Sequence, residues 1–575
     1  MRKFTFLAML AFATIATNAQ ETAAPTWTAD LITTEAASDL RRGGAMAIDN
    51  DGNAIVTGSF TKDVEFASSY LEPIATSAFI AKYDKAGKKL WAASLKGAAT
   101  IGSVTTDAKG NIYATGVFAD EVQIVNKAGE TKTTIKGKEG ETSQVSAFIV
   151  KFTKDGEYVA SNTIIPVVDM VHECYSGADT YFTPGTIKMC GDKVIMSAEY
   201  TGKNEIGSLT LKGQYCYKPD WFYMYDIPTL GIISLSDDLS EATLVAQLAA
   251  TQAETYEGYC AEDCNFTTDG TKIYAGFVAY GTDLTLKAAN NSKQITDLLT
   301  ATKDEETKYE QAFILATIEN GSITNTMTYH SQIDDNLQLA KFNTIDEMQY
   351  LNGNIYLAGT FNETFPFDNS KTFVGGCDTY AVSLKASDLS KNWALTSGFD
   401  EGDAKKKAEN VTGMAVLDDE VQITAWSGST ATYEVETPIN ILINTESTPS
   451  AMIIHTGDNA YFATSVANNG IYHIIQSDNR TMLAEDKEVN GKYTYKFFND
   501  DADDDTSVEQ IAASGNAISW DGQTVTLAKS ADVNIYNAGG SLILSAKNAS
   551  SVSLAGAASG VYVVKTGNQT FKIEK

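Results

Sequence analysis

The chain has 575 residues, and a hydrophobic content of 43% excludes wholesale disorder. Its 73 acidic and 43 basic residues give a formal net charge of −30, and such a surface repels phosphate backbones, so composition argues against nucleic acid as a partner. Six cysteines are too few in a chain of this length for a disulfide-scaffolded mini-protein. The length allows one large domain and one small domain.

Residues 1–19 have the pattern of a secretory signal peptide. Arg2 and Lys3 form a basic start, residues 4–15 are an apolar run, and small residues lead up to Ala19. This pattern predicts cleavage after Ala19. The apolar run is too short to cross a bilayer, and no later stretch reaches the roughly 18 apolar residues that a span needs. We therefore expect an exported protein without a transmembrane segment.

A turn-and-strand phrase then occurs twice. Residues 49–60 read DNDGNAIVTGSF, and residues 107–118 read DAKGNIYATGVF. Asp, Asn and Gly favour a tight turn because they tolerate positive φ, and the apolar alternation that follows predicts a strand. Gly58 or Gly116 after it lets a neighbouring backbone approach. Such a unit, repeated at long period, is typical of radially repeated β-structure.

The repeat continues in weaker form and has a second half. Degenerate copies of the phrase stand at residues 190–198, 269–277, 352–361 and 418–426. In the two best copies, Ala78–Tyr83 and Ala147–Phe152 follow as a second strand motif. With a further turn and strand, each unit holds about four strands, which is one propeller blade.

The spacing of the units predicts long inserted loops. Successive strand starts, at residues 53, 111, 193, 272, 354 and 420, are 58, 82, 79, 82 and 66 residues apart. A typical blade needs roughly 40 to 50 residues. The surplus is therefore expected in loops between strands.

The ends of the repeat predict a closed ring. Residues 27–31 resemble the outer strand at residues 91–95 but precede any blade to which they could belong. We expect them to complete the last blade, because closure leaves no exposed sheet edge. Six units are evident, and residues 470–496 offer a seventh. The sequence thus predicts an all-β chain with a six- or seven-bladed propeller over residues 20–498, and seven blades are favoured.

The phrase at residues 107–116, together with Ala78–Tyr83 and Trp91, resembles the bacterial β-propeller repeat of the SBBP type. The resemblance covers about residues 40 to 470. It implies an extracellular propeller. It implies no reaction, because that family has no shared catalytic residues to carry over.

A small module is predicted at the end of the chain. The acidic run at residues 499–508 is typical of a solvated linker, and it lacks the glycine and the distal glutamate of an EF-hand loop. Short strands with turn punctuation over residues 509–575 predict a small antiparallel β-sandwich.

This module also resembles the C-terminal sorting domain of type IX secretion cargo. The residues that carry the resemblance are 533–536 with Gly539 and Gly540, then 559–565 and the terminal Lys575. The match covers about residues 510 to 575. It implies the type IX secretion machinery as a partner, and a protein that is secreted or held at the outer surface of a Gram-negative bacterium.

No catalytic constellation emerges from the sequence. It contains no Gly-x-Ser-x-Gly elbow, no His-Glu-x-x-His and no phosphate loop, so we predict no catalytic residue, metal or cofactor. Cys260 and Cys264 could form a local disulfide, and free thiols are the alternative. A zinc half-site is disfavoured because no second pair of ligands stands at the required spacing.

One group of residues is a candidate ligand site. Aromatic residues are dense in three inserts within the third and fourth units, where the candidates are Tyr175, Tyr217, Trp221, Tyr223, Tyr225 and Tyr259. Tyr and Trp can stack on sugar or peptide and hydrogen-bond at their edges. The competing interpretation, which is the simpler one, is a packed cluster that caps the ring.

These patterns favour a non-catalytic surface propeller that binds a glycan or an extracellular protein. A polysaccharide-degrading lyase or hydrolase on a propeller scaffold is the alternative from another class. A structural envelope protein is the third interpretation.

Overall fold

The chain divides into two compact units, residues 1–502 and 503–575. The computed structural model describes residues 29–33 and, with gaps, residues 45–575. Besides gaps of one to three residues, the undescribed segments are 138–144, 168–179, 219–222, 251–258, 331–342, 371–377, 398–406, 430–449, 456–460, 466–470, 500–517 and 538–541. The division between the units lies within the acidic run at residues 499–508.

The described part of the first unit is all-β, and seven antiparallel sheets follow one another along it. Sheet 1 contains β2 (Met46–Ile48), β3 (Ala54–Phe60), β6 (Ser77–Tyr83) and β7 (Lys89–Lys96), extended by β10 (Glu121–Val125) and β11 (Thr131–Lys136). Sheet 2 contains β8 (Ala99–Thr106), β9 (Ile112–Phe118), β12 (Ser146–Phe152) and β13 (Tyr158–Val167), extended by β16 (Lys203–Ile206) and β17 (Leu209–Lys212). Sheet 3 contains β14 (Phe182–Cys190), β15 (Lys193–Tyr200), β20 (Thr229–Leu235) and β21 (Ala242–Ala250), extended by β24 (Leu284–Ala288) and β25 (Ser292–Ile295).

The remaining four sheets have four strands each. Sheet 4 contains β22 (Tyr259–Thr268), β23 (Ile273–Gly281), β28 (Ala312–Glu319) and β29 (Ser322–Tyr329). Sheet 5 contains β30 (Glu347–Leu351), β31 (Asn354–Phe361), β32 (Asp378–Lys385) and β33 (Lys391–Ser397). Sheet 6 contains β34 (Lys407–Leu417), β35 (Glu420–Ser429), β36 (Ser450–His455) and β37 (Tyr461–Ser465). Sheet 7 contains β38 (Ile471–Ser477), β39 (Arg480–Val489), β40 (Lys492–Asn499) and the N-terminal β1 (Ala29–Thr33). Separate hairpins are β4 (Val64–Phe66) with β5 (Ser69–Leu71), β18 (Gln214–Lys218) with β19 (Tyr223–Ile227), and β26 (Thr300–Lys303) with β27 (Glu306–Tyr309).

The first strands of the seven sheets form a closed ring. In the order β2, β8, β14, β22, β30, β34 and β38, each contacts the next, and β38 contacts β2. The N-terminal strand β1 pairs antiparallel with β40, with Ala29 opposite Phe497 and Thr33 opposite Thr494. The prediction that an N-terminal strand completes the last sheet is therefore confirmed. The radially repeated, all-β arrangement is propeller-like.

The hydrophobic core lies between successive sheets rather than in one central mass. One cluster joins sheets 1 and 2 through side chains that include Ile80, Trp91, Ile112 and Phe148. Comparable clusters join sheets 2 and 3, 3 and 4, 4 and 5, and 5 and 6. The motifs Ser77–Tyr83 and Ser146–Phe152 are buried along their whole length, as expected of strands covered on both sides.

Three hairpins account for much of the surplus length between successive repeats of the sequence. Each leaves the connection between the second and third strands of one sheet and pairs with the fourth strand of the sheet before it. The hairpin β10–β11, which follows β9 of sheet 2, pairs with β7 of sheet 1. In the same way, β16–β17 pairs with β13, and β24–β25 pairs with β21. The hairpins therefore fasten sheets 1 to 4 to one another in succession.

The second unit contains one five-stranded antiparallel sheet among its described residues. Its strands are β41 (Ile518–Trp520), β42 (Thr524–Asn537), β43 (Leu542–Ser553), β44 (Val561–Thr566) and β45 (Gln569–Glu574). The long strand β42 pairs with β41, β43 and β44, and its apolar face includes the fully buried Val533, Ile535 and Val564 of the neighbouring β44.

Candidate functional site

The strand order gives the ring two different faces. Four antiparallel strands bring the chain back to the end of the sheet from which it started, so equivalent connections of all seven sheets lie at the same end. One end, the turn face, carries the short connections such as 49–53, 107–111 and 320–321. The other end, the loop face, carries the long connections such as 201–228 and 282–311.

At the turn face, the repeated aspartate organises the turn by its side chain. Oδ1 of Asp49 accepts hydrogen bonds from the backbone N–H groups of Asp51 and Asn53, at 3.0 and 2.8 Å. Oδ1 of Asp107 accepts equivalent bonds from Lys109 and Asn111, both at 2.8 Å. This is why the phrase needs Asp at its start: a short carboxylate reaches its own backbone two and four residues later.

A buried ion pair completes the first of these turns. Lys82 Nζ lies 2.7 Å from Asp49 Oδ2, and the two side chains are 4% and 1% exposed. Burial raises the pKa of Asp49, but the hydrogen bonds from Lys82 and Asn53 outweigh it, so this pKa lies below its ordinary value of 3.8.

In the second copy the equivalent lysine binds a different sheet. Lys151 Nζ contacts Asp237 Oδ1 at 2.8 Å, and the hydroxyl of Tyr113 donates to the same oxygen at 2.6 Å. Lys151 and Tyr113 belong to sheet 2, whereas Asp237 lies in the turn between β20 and β21 of sheet 3. The hydrogen bonds from Lys151 and Tyr113 lower the pKa of Asp237, so its charged form ties two sheets together.

A polar cavity of about 550 Å³ lies on the axis of the ring. We call it the axial cavity. The first strands of all seven sheets contribute to its wall, at residues 46–48, 102–106, 186–188, 267, 347, 349, 350, 412, 414 and 474. Its position follows from the ring: the innermost strands enclose it, and bulges in β8, β14 and β34 interrupt their pairing near Gly102, Thr186 and Thr412.

One basic and two acidic side chains line the axial cavity, namely Lys188, Asp346 and Glu347. Lys188 of sheet 3 donates to the carbonyl oxygen of Met348 in sheet 5, across sheet 4. Burial lowers the pKa of Lys188, and the neighbouring Glu347 opposes that shift. Burial raises the pKa of Glu347 and, with the added repulsion of Asp263, that of Asp346. Lys188 and Glu347 each favour the charged form of the other, although burial is the larger influence on the pKa of both.

Hydrogen bonds between sheets fix this wall. The amide of Asn265 in sheet 4 donates to the carbonyl oxygens of Ile345 and Asp346, both at 2.9 Å. Asp263 Oδ2 accepts from the N–H of Ile345 at 2.7 Å. The segment that leads into β30 and carries Asp346 is thereby held in place against sheet 4.

Three of the aromatic candidates from the sequence lie in a hairpin within a connection of the loop face. Tyr217 lies on β18, while Tyr223 and Tyr225 lie on β19, in a hairpin that leads back to β20. Tyr259 begins β22. Tyr175 and Trp221 lie outside the described residues. In the register of the hairpin, Tyr217 stands opposite Met224, and Tyr223 stands opposite Lys218.

The cysteine pair does not form the local disulfide that the sequence allowed. Cys264 carries a free thiol. Both residues lie on the single strand β22, where Cys264 stands opposite Phe277 and Cys260 stands opposite Tyr280. Residues four apart on an extended strand are separated by more than the roughly 7 Å that a disulfide can bridge. Burial raises the pKa of the Cys264 thiol, so the thiol is unreactive.

Sequence reasoning missed the residues of the axial cavity. Lys188 and Glu347 are 159 positions apart in the chain and have no motif in common. Their one common signal is that each stands on the first strand of a repeat unit, a position that the ring turns towards the axis. Among the described residues, no group of three His, Cys, Asp or Glu side chains could hold a metal ion. Nor does the described part of the chain contain a helix long and apolar enough to cross a membrane.

Comparisons with known proteins give no family for this chain. No protein-family model matches it. An uncharacterized WD repeat-containing protein of Acanthamoeba polyphaga mimivirus is 41% identical over 93 residues, which are 13% of this chain and 7% of that protein. The chain thus matches only a small part of the length of this curated relative.

Solved structures with distant similarity include two proteins that are named as sialidases. The endosialidase of phage phi92 aligns with a TM-score of 0.33 and 9% identity, over 81% of this chain and 68% of its own. The sialidase of Trypanosoma rangeli aligns with a TM-score of 0.32 and 7% identity, over 77% and 59%. Virginiamycin B lyase of Staphylococcus aureus aligns with a TM-score of 0.25 and 8% identity, over 69% and 94%. These scores are too low to carry an argument about fold or function.

Proposed function

We propose that the chain is an exported, seven-bladed β-propeller that binds a glycan or an extracellular protein and does not catalyse a reaction. Each of the seven sheets serves as one blade in this proposal. The succession of contacts from β2 to β38 and back to β2 supports it, as does the pairing of β1 with β40. A ring closed by strands from both ends of the first unit is a rigid support on which loops can be varied.

The observation that carries a binding role is the concentration of long connections at the loop face. Binding residues are most often placed on loops that a rigid scaffold positions, because the strands are committed to packing. The hairpin β18–β19 adds Tyr217, Tyr223 and Tyr225 to this face, and the connection between its strands contains Trp221. Tyr and Trp are the residues that dominate binding hot spots.

The test uses the full chain on a glycan array, together with an assay for released reducing ends. Binding without release supports a binding protein, and release identifies a polysaccharide-degrading enzyme. If the chain neither binds a glycan nor releases reducing ends, the structural envelope protein is favoured. Trp221→Ala should weaken binding by roughly 2 kcal/mol or more with little change in melting temperature. Trp520→Ala in the second unit is the control and should leave binding unchanged. Unchanged binding with a large drop in melting temperature for Trp221→Ala would instead support the packed cap.

The same proposal includes export and a sorting role for residues 509–575. The long strand β42 supports a sandwich-like module: its pairing with β43 shifts register between Thr526 and Val533, which is where a strand can bend from one layer to another. Mature protein should begin at Gln20. Deleting residues 510–575 should leave the chain in the periplasm, whereas normal surface display of the shortened chain would contradict the sorting role.

A further inference from the structure

We propose that the axial cavity is a second binding site, and that its ligand is a small uncharged sugar of one or two rings. The site is separate from the loop face and does not depend on a ligand there. It also makes no use of the aromatic candidates that the sequence offers. Three features of the cavity suit such a ligand: its volume, the chemistry of its wall and one rigid aromatic ring.

The volume is suited to a small ligand. At about 550 Å³ the cavity falls within the roughly 300 to 1,000 Å³ of typical ligand sites. Because the wall is built from strands of a closed ring, the cavity is formed before any ligand arrives. A preformed site saves the free energy of ordering the protein on binding.

The wall presents hydroxyl groups from several sheets to the same space. They belong to Ser103 and Thr105 of sheet 2, Thr186 of sheet 3, Thr267 of sheet 4 and Thr412 of sheet 6. A hydroxyl group both donates and accepts a hydrogen bond, so such a wall matches a ligand that does the same around its whole circumference. A sugar ring has this property, and it can add to bonds that the wall already makes, such as those from the Ile187 N–H to Ser103 Oγ and from Thr412 Oγ1 to Thr424 Oγ1, both at 3.0 Å.

The charges in the wall favour an uncharged ligand. An anion would meet the carboxyl groups of Asp346 and Glu347, and a cation would meet the ammonium group of Lys188. Lys188 is already bound to the carbonyl oxygen of Met348 and has Glu347 as an electrostatic neighbour, so its ammonium group calls for no counter-ion from the ligand. These groups remain available as donors and acceptors to neutral hydroxyls.

Tyr350 adds an aromatic surface to the wall. It is half-buried, lines the cavity and stacks on Tyr274 of sheet 4, with ring centroids 5.6 Å apart and planes 4° apart. The hydroxyl of Tyr274 is itself fixed by Asp269 Oδ2 at 3.0 Å. A rigid aromatic ring beside hydroxyl groups is suited to the apolar face of a sugar, because little side-chain entropy is lost on contact.

The experiment titrates the full chain with glucose, galactose, mannose, N-acetylglucosamine and maltose, each observed by saturation-transfer NMR and calorimetry. We expect at least one to bind saturably at one site. Thr105→Phe, which fills the cavity from β8 with a residue suited to strands, should abolish that binding. Thr210→Phe is the matched control, because Thr210 is exposed on β17 and lies outside the cavity wall.

Two further variants keep the test decisive. Thr186→Val removes a hydroxyl without changing shape and should weaken binding roughly five-fold, the value of one neutral hydrogen bond; this result decides the matter if Thr105→Phe fails to fold. Trp221→Ala should leave this binding unchanged, so loss of the loop-face site and loss of the axial site are distinguishable. Absence of binding by all five sugars, or binding that a folded Thr105→Phe chain retains, would overturn the proposal.

Discussion

Asp49 has two structural roles in the repeat, one in its own turn and one in the buried pair with Lys82. Asp49 shapes its own turn by accepting backbone hydrogen bonds, and the same carboxylate holds the ammonium group of Lys82 at 2.7 Å. Lys151 occupies the equivalent place in the next copy but pairs with Asp237 of the following sheet. Both copies of the repeat therefore have a lysine at this position. In the first copy the lysine pairs within its own sheet, and in the second it pairs with the next sheet.

Removing Asp49 should be costly and should change the response to acid. Asp49→Asn leaves Lys82 buried without a countercharge, and we expect a loss of about 3 kcal/mol or more in the free energy of unfolding. Because the pKa of Asp49 is lowered on folding, the stability it contributes is present above pH 4 and is lost as pH falls through its folded pKa. Chemical denaturation between pH 2 and 7 should therefore show a shallower acid dependence in the variant.

Asp237→Asn is the control for this experiment. The side chain of Asp237 is 51% exposed, so solvent screens its pair with Lys151 and the loss should be smaller. Equal losses for the two variants would contradict the role assigned to burial.

Gly116 illustrates the close approach that the repeat predicts. A Cβ atom there would lie 1.8 Å from the carbonyl oxygen of Thr100 on the neighbouring strand β8. Backbone cannot move away as a flexible side chain can, so we expect Gly116→Ala to cost about 3 kcal/mol by overpacking. Gly102→Ala on β8 is the matched control, since a Cβ atom at Gly102 would meet no atom within 4 Å. Thermal or urea unfolding measures both, and similar stabilities for the two variants would contradict the structure at this position.

At the scale of elements, the inserted hairpins fasten sheets in succession. The hairpin β10–β11 arises from sheet 2 and buries Val122, Ile124 and Ile135 in the core between sheets 1 and 2. It also covers the edge of β7, which would otherwise expose unpaired backbone groups. The hairpins β16–β17 and β24–β25 bury apolar side chains in the same way.

Replacing residues 121–136 by a short Gly-Ser link should therefore destabilise the ring. Three buried apolar side chains are lost, so we expect the free energy of unfolding to fall by about 5 kcal/mol. The hairpin β26–β27 is a suitable control for deletion, because it forms a two-stranded sheet of its own. Its replacement should change the free energy of unfolding by much less, and a comparable loss would contradict the fastening role of β10–β11.

At the scale of the whole molecule, the sequence predicts turns and strands that depend on neighbouring residues, and it does not predict contacts between sheets that are distant in the chain. The turn at Asp49, the strand after it and the close approach at Gly116 all follow from a phrase of twelve residues, because the bonds involved lie within one sheet. The closing strand was predictable because an outer-strand motif stood before any sheet that could contain it. The length between units indicated inserts, but their pairing with the preceding sheet is a non-local contact that residue types do not encode.

The candidate sites differ in the same respect. The aromatic residues of the loop face are dense in sequence, so composition alone selects them. The axial cavity is assembled from short stretches and single residues of seven distant strands, and only the closed ring brings residues such as Lys188 and Glu347 together. Connections that are equivalent in sequence are gathered at one end of the ring, so the topology places the hairpin with Tyr217, Tyr223 and Tyr225 at the loop face.

The most direct test of the closed ring is a cross-link between the two ends of the first unit. Thr33 on β1 stands opposite Thr494 on β40, and residues directly opposite in an antiparallel pair have Cβ atoms roughly 4.5 to 5.5 Å apart. The double variant Thr33→Cys with Thr494→Cys should form a disulfide that mass spectrometry of peptides detects, and it should raise the melting temperature. Thr33→Cys with Thr464→Cys, on the outer strand β37 of sheet 6, should not. Absence of the bond between positions 33 and 494, or equal cross-linking to position 464, would contradict the closed ring.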